Sequence, residues 1–302
     1  MTLRAVASHA RLPNTAEWIA KSARGDYLLQ VAWPLSWKED RVAPKNDVVN
    51  TLYLVDGNAY FYTAVDISRR LEYLYSTRTV IVGIGYPPSN YVYDFRRGPD
   101  LTPKAPEYDM PLDRHGKPRT DISFGEAEEF LAWIKSQVMP RVEGTVFPEA
   151  NLATGRRALY GHSYGGIFTL NTMYSEPDLF DTYIAASPTV WWNKDFLIRQ
   201  PEVAFRNRKS PLEHPVSLVL TWGECKGDLT RHHGEAEAVF RKRQDCAEED
   251  QIQEYMDALV SRLETCPSLR NLQTRKFKNE DHGSAAVTGL QHGLTTFVLE
   301  NL

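Results

Sequence analysis

Cysteine is scarce in this chain, and it has no surplus of basic charge or of unbroken apolar sequence. Its three cysteines, Cys225, Cys246 and Cys266, form no CxxC pair. So sparse and odd a set excludes a disulfide-built scaffold and fits a reduced, intracellular protein. Lysine and arginine total 35 against 39 aspartates and glutamates, a net charge of −4. No global positive field draws in nucleic acid or anionic lipid, so neither is expected as a partner. No apolar stretch approaches the roughly 20 residues that cross a bilayer. The opening MTLRAVASHARLPNTAEW lacks the continuous apolar core of a secretory leader. A cytoplasmic protein is expected.

Internal repeats, low-complexity tracts and Pro/Ser linkers are missing too, so residues 1–302 read as a single domain. What remains is a pattern of short apolar runs alternating with longer amphipathic ones. DYLLQVAWP (26–34), VVNTLYLVDG (48–57), RTVIVGIGYP (78–87), RRALYG (156–161), TYIAASP (182–188), PVSLVLTWGE (215–224) and LQTRKFK (272–278) read as strands. YTAVDISRRLEYLY, FGEAEEFLAWIKSQVMPRV, the segment from Tyr164, QIQEYMDALVSRLE and AVTGLQHGLTTFVLEN read as helices. Continuous apolar strands between helices predict an α/β fold, a mostly parallel central sheet covered on both faces, with the earliest strands open to antiparallel pairing. Three long segments, about 87–122, 189–214 and 225–250, interrupt the repeat. Long loops at the carboxyl ends of such strands commonly build a binding site.

One stretch carries chemistry. GHSYGG (161–166) places Ser163 between glycines, after a strand and before a helix. That context turns a common pattern into the nucleophile elbow of the α/β-hydrolase fold. The glycines belong to a strained turn in which side chains would clash, and the following helix aims its N–H groups at developing negative charge. The plainer alternative is a Gly-rich turn that packs a helix on a sheet.

A serine hydroxyl needs a base, and the fold orders its site as Ser, acid, His along the chain. Of 8 histidines, His162 adjoins Ser163 with its side chain expected to point away from it. His232 and His233 lie in a charged segment, and His292 falls inside the last helix. His282, in KNEDHGSAA between the last strand and the last helix, is where the base belongs. The acid should leave SLVLTW at its carboxyl end, with Glu224 preferred and Asp228 as the alternative. Either would hold the imidazole tautomer and stabilise the imidazolium. For the oxyanion, Tyr164 supplies one N–H, and the loop after TLYLVDG supplies another from Asn58, with Gly57 next.

LYLVDGNAYF, VGIGYP, DLTP, YGHSYGGIFTL, AASPTVWWN, WGE and DHGS occur in an order that resembles the siderophore esterase branch of the esterase D-like α/β-hydrolases. That branch includes the enterobactin and bacillibactin trilactone hydrolases and the fungal triacetylfusarinine C esterase. The wider superfamily holds S-formylglutathione hydrolase, feruloyl esterases and mycolyltransferases. The resemblance spans roughly residues 25–300. It implies Ser163 as nucleophile, His282 as base, Asn58 and Tyr164 as oxyanion donors, and a substrate-binding role for Arg96 and Arg97. The pattern departs at Lys226, where many relatives carry a second acid; some siderophore esterases work with a Ser–His dyad.

The loop YPPSNYVYDFRRGPDLTP (86–103) joins tyrosines, Phe95 and two arginines to several prolines. Rigid aromatic area and guanidinium groups suit a bulky, oxygen-rich ester; the alternative is a loop folded over its own scaffold. Trp191 and Trp192 either line the pocket or pack beneath it, with Trp192 taken as a substrate-binding candidate beside Arg96 and Arg97. CKGDLTRHH lacks the spacing of a closed zinc site, RKRQDCAEEDQ reads as a solvated run, and the GIG of VGIGYP does not extend to a dinucleotide fingerprint. Neither metal nor cofactor is expected, and ferric iron would belong to the substrate. The expected activity is hydrolysis of a siderophore ester, such as a fusarinine-type hydroxamate triester, releasing iron inside the cell. The alternatives are a general short-chain or S-formylglutathione hydrolase-like esterase, an acyltransferase, and a non-catalytic binding module of the same fold.

Overall fold

The computed structural model describes residues 12–37, 41–44, 47–88, 91–111, 117–224, 231, 233–234, 236–237, 240–241 and 251–300. Along the chain these form β1 (Thr15–Ala20), β2 (Tyr27–Ala32), β3 (Asn50–Val55), α1 (Gly57–Tyr75), β4 (Thr79–Gly85), α2 (Arg97–Leu101) and α3 (Ala127–Trp133). β5 (Arg157–His162), α4 (Tyr164–Ser175), β6 (Thr182–Ala186), α5 (Trp192–Arg199), α6 (Pro201–Arg206), β7 (Val216–Gly223), α7 (Gln251–Leu263), β8 (Leu269–Phe277) and α8 (Ala285–Leu299) follow. One sheet contains all eight strands in the order β1-β2-β4-β3-β5-β6-β7-β8. β1 and β2 pair antiparallel, as do β2 and β4, and every later pairing is parallel. The expectation of a mostly parallel sheet with antiparallel first strands therefore holds.

The apolar runs make these strands because both of their faces are covered. β3, β4, β6 and β7 are buried at every residue. Side chains alternate across a strand, so Leu52 and Leu54 join Ile67 of α1 and Leu290, Leu294 and Phe297 of α8 on one face. Tyr53 and Val55 face the opposite layer, with Phe130 of α3 and Phe168 of α4. β1 is an addition to the sequence reading. It is a half-exposed edge strand without a continuous apolar run, and so it lacks the signal that reveals the central strands. The segments 87–122 and 189–214 are not irregular throughout, since they contain α2, α5 and α6. Most of 225–250 lies outside the described residues.

Beyond Trp133 the third helix continues as two π-helical stretches, Ile134–Val138 and Val142–Val146, on either side of Met139–Arg141. Pro140 lies between them and has no N–H to give to an i−4 carbonyl.

α6 and α7 are clamped together by a buried charge. Glu202 is fully buried and accepts from Arg262 Nε at 2.6 Å, Arg262 Nη2 at 2.8 Å and Arg206 Nε at 2.9 Å. Ile252 and Met256 of α7 line a cavity beside His282, so this clamp also fixes one wall of the site. Removing the carboxylate leaves two arginines facing a buried pocket without their partner. Glu202→Ala is expected to lose about 3 kcal/mol of stability. In urea unfolding this would appear as a lower midpoint at unchanged m-value; an unshifted midpoint would contradict the clamp.

Candidate active site

At the rim formed by the strand carboxyl ends, the residue between β5 and α4 is bent sharply. Ser163 has φ 60° and ψ −114°, a conformation that L-residues rarely adopt and that costs about 1–3 kcal/mol. Its N–H donates to the Ala186 carbonyl at 3.1 Å, and its carbonyl accepts from Ile167 N–H at 3.0 Å. The glycines have the steric reason the motif suggests. A methyl on Gly161 would overlap the Gly165 carbonyl, and one on Gly166 would lie 2.8 Å from Pro188 Cα. Ser163 Oγ is hydrogen-bonded to Thr189 Oγ1 at 3.3 Å, in the loop that leaves β6.

β3 and β5 are parallel neighbours, so α1 and α4 begin side by side. Tyr164 is the first residue of α4 and Asn58 the second of α1. First-turn N–H groups have no intrahelical acceptor, which makes paired helix starts a ready anion site. The Asn58 side chain is committed elsewhere. Its Oδ1 accepts from Tyr86 N–H at 2.7 Å and its Nδ2 donates to the Tyr86 carbonyl at 2.9 Å. Asn58 can therefore serve an oxyanion through its backbone only.

Asp56 precedes the first residue of α1 in the left-handed conformation (φ 54°) and is buried. Arg97 Nε and Nη2 donate to its two oxygens at 3.1 and 2.9 Å. The Arg97 guanidinium also sits between the Tyr93 and Tyr164 rings, 4.9 and 5.3 Å from their centroids. Arg96 stacks on Tyr27 and Tyr86 at 5.1 and 4.8 Å and donates to the Asp26 carbonyl at 2.9 Å. Both arginines thus brace the loop that carries them, and Arg97 places a fixed positive charge beside the elbow. Trp192 is buried against Tyr108 and Phe124, centroids 6.1 and 5.6 Å away. It is Trp191 that lines the cavity of about 10 Å³ beside His282, with Ser187, Pro188, Trp222 and Gly223.

The loop between β8 and α8 is tightly built. Asp281 Oδ1 accepts from Gly283 N–H at 2.9 Å and Ser284 N–H at 2.8 Å, and Ser284 Oγ accepts from Asp281 N–H at 3.0 Å. The His282 carbonyl is bonded to His162 Nε2 at 2.7 Å, with the two rings 4.8 Å apart. His282 therefore lies against the residue that precedes Ser163. Burial holds its imidazole below the ordinary histidine range; Asp281 opposes this and the Arg97 charge adds to it. The neutral ring that results is the form able to accept a proton.

Of the two acid candidates, Glu224 continues the β7–β8 ladder, its N–H donating to the Phe277 carbonyl at 2.9 Å. Its carboxylate faces Lys276 Nζ at 3.7 Å. Among the described residues no carboxylate is hydrogen-bonded to the His282 ring. Asp228 lies outside the described residues, as do most of CKGDLTRHH and RKRQDCAEEDQ. Thr189, Asp56, Tyr60 and Tyr93 take part in the site without having been singled out from sequence. Their only sequence signal is position, within motifs that also contain the more obvious candidates.

The Esterase family model matches residues 21–258. A siderophore enterobactin esterase of Emericella nidulans is 38% identical over 285 residues, covering 93% of this chain and 92% of the relative. A siderophore triacetylfusarinine C esterase of Aspergillus fumigatus is 33% identical over 290 residues, covering 95% and 94%. Among solved structures, siderophore hydrolase EstA from Aspergillus nidulans superposes with a TM-score of 0.88 at 34% identity, covering 100% of this chain and 99% of that one. A family model matched over most of the length, relatives above 30% identity along nearly the whole chain and a common α/β-hydrolase scaffold agree, and the chain belongs to the Esterase family.

Proposed function

We propose that this chain is a serine carboxylesterase that opens ester bonds of a siderophore, with the fusarinine-type hydroxamate triester as first candidate, and releases iron inside the cell. The observation that carries the chemistry is the strained Ser163 elbow set between two adjacent helix starts. The substrate class is supported by the two relatives matched over more than nine-tenths of the chain, each named for a siderophore ester. It is supported too by the exposed Tyr91, Val92 and Phe95 on the loop that leads to Arg97, a face suited to a bulky ligand. Ferric iron enters this scheme as cargo of the substrate.

In the proposed reaction Ser163 Oγ leaves Thr189 and attacks the ester carbonyl while His282 takes its proton. The Asn58 and Tyr164 N–H groups hold the oxyanion, each donor worth roughly 3–4 kcal/mol in the transition state. Collapse expels the alcohol, which takes the proton back from His282. Water then attacks the acyl-enzyme by the same route and restores Ser163. The acid that orients His282 is assigned to the segment after β7, to Glu224 or to Asp228.

Mass-spectrometric product analysis with ferric and iron-free cyclic hydroxamate triester, catecholate trilactone and a nitrophenyl ester tests the substrate. Cleavage of one siderophore well above the nitrophenyl ester is expected, and Ser163→Ala should lower it by about 10⁴-fold or more. Cleavage of the nitrophenyl ester alone would remove the siderophore assignment. Because the His282 imidazole lies below the ordinary 6.5 and must be neutral to act, kcat/KM should rise with pH along a limb centred below 6.5 and stay level above it. A limb centred at or above 6.5 would contradict His282 as a buried base. Comparison of Glu224→Gln with Asp228→Asn separates the acids. Loss of the true one should lower kcat by about 10⁴-fold, and full activity in both variants would leave a Ser–His dyad.

A further inference from the structure

Behind the elbow runs a line of hydrogen bonds that the proposed reaction does not use. His162 is buried and reaches toward the base loop. Its Nε2 lies 2.7 Å from the His282 carbonyl and its Nδ1 lies 3.0 Å from Tyr60 Oη, which is in turn 2.5 Å from Tyr93 Oη. The direction of each bond follows from the first. A carbonyl only accepts, so Nε2 carries the proton. Burial, with the nearby His282 ring and the Arg97 charge, holds the His162 ring far below the ordinary histidine range, at about 3, so it is neutral and Nδ1 is an acceptor. Tyr60 must then donate to Nδ1, which leaves its oxygen to accept from Tyr93. The line has one polarity from end to end. It starts at Tyr93, partly exposed on the aromatic loop, and ends on the backbone of the residue proposed as base.

We infer that His162 is a positioning residue, which sets the backbone of His282 and, through Tyr60 and Tyr93, ties the base to the exposed aromatic loop 91–95. This rests on the reading of Ser163 and His282 as nucleophile and base. Three contacts fix the base loop. The Glu280 and Asp281 carbonyls approach so closely that only glycine fits at 223, Asp281 ties Gly283 and Ser284, and between them the His282 carbonyl is held by His162. No described side chain is hydrogen-bonded to the His282 ring, so the place of the imidazole depends on its own backbone and on packing, including the His162 ring 4.8 Å away. A displacement of about 1 Å in a reacting group lowers the rate by about 100-fold. His162 holds the loop against such a shift. The Arg97 guanidinium over the Tyr93 ring braces the far end of the line.

His162→Leu, His162→Gln and Tyr60→Phe test this. The readouts are Ser163 labelling by a fluorophosphonate, kcat and KM on a nitrophenyl ester, and the thermal midpoint. His162→Leu should lower kcat and the labelling rate by about 100-fold with KM changed less than about twofold. His162→Gln should recover about tenfold of that loss, because its amide can donate to the His282 carbonyl and accept from Tyr60. Tyr60→Phe, which removes one donor, should lower both rates by about fivefold. A folded His162→Leu that is labelled at the wild-type rate overturns the inference, and so does a His162→Gln no faster than His162→Leu. Should His162→Leu not fold, an undiminished rate in Tyr60→Phe overturns it as well. A wild-type enzyme unlabelled at Ser163 overturns the serine-esterase reading, and this inference with it.

Discussion

The Gly165 carbonyl, which fills the space a side chain at Gly161 would need, governs much of this molecule. A strand can turn into a helix within one residue only where the first helical turn packs directly on the strand end. That approach leaves no room for a side chain at Gly161. Once the turn is that tight, its neighbours are placed too. Gly165 packs on Val55 and the Asp56 carboxylate, which locates the start of α1, while Gly166 packs on Pro188, which locates the loop bearing Thr189 and Trp191. The Ser163 N–H anchored on Ala186 fastens the bend to β6. The unfavourable backbone of Ser163 persists because contacts from three sides leave it no alternative.

Charge is arranged around that bend with equal economy. Asp56 is almost wholly enclosed and would be costly alone, but both of its oxygens are occupied by Arg97. The pair joins the start of α1 to α2, which lies about 40 residues further along the chain. α2 is pinned a second time, where buried Asp100 accepts from Arg24 at 2.5 Å and from Tyr27 at 2.9 Å. The aromatic loop therefore runs into a helix held by two buried ion pairs, and its exposed rings are presented from a firm base. The Arg97 charge also works against protonation of both His162 and His282. The same guanidinium thus braces the loop and helps keep both imidazoles neutral.

Much of the fold was legible because it rests on local signals. Unbroken apolar runs such as TVIVGIG and SLVLTWG mark strands covered on both faces, and the glycines of GHSYGG mark an approach only glycine permits. β1 was not legible, since an edge strand with alternating exposure has no run to notice. In the site, Ser163, Tyr164, Asn58 and His282 are proposed from chain order and motif; Ser163 and Tyr164 lie at the β5–α4 bend, Asn58 in the first turn of α1 and His282 in the loop before α8. Partnership was not legible. Nothing in the sequence pairs Arg97 with Asp56, turns Glu224 toward Lys276 or connects His162 to the carbonyl of a residue 120 positions away. His162 was passed over for pointing away from the nucleophile. Its ring instead reaches the base loop.

These pieces bear on what a third member of the site has to supply. In a triad the acid fixes the tautomer and position of the imidazole and also offsets the charge of the imidazolium. Here position already has a source in the Gly223 contact, the Asp281 turn and the His162 bond, none of which involves a carboxylate on the ring. The charge does not. Burial and Arg97 both act against an imidazolium at His282, and Asp281 offsets them only in part. A carboxylate arriving after β7 would therefore matter less for holding the ring still than for tolerating the proton it has just taken. It would raise the affinity of His282 for that proton and bring a weak base closer to the strength a serine requires. On this view the geometry of the base and its basicity would be supplied by different parts of the chain, one by backbone packing and the other by the acid proposed after the end of β7, Glu224 or Asp228.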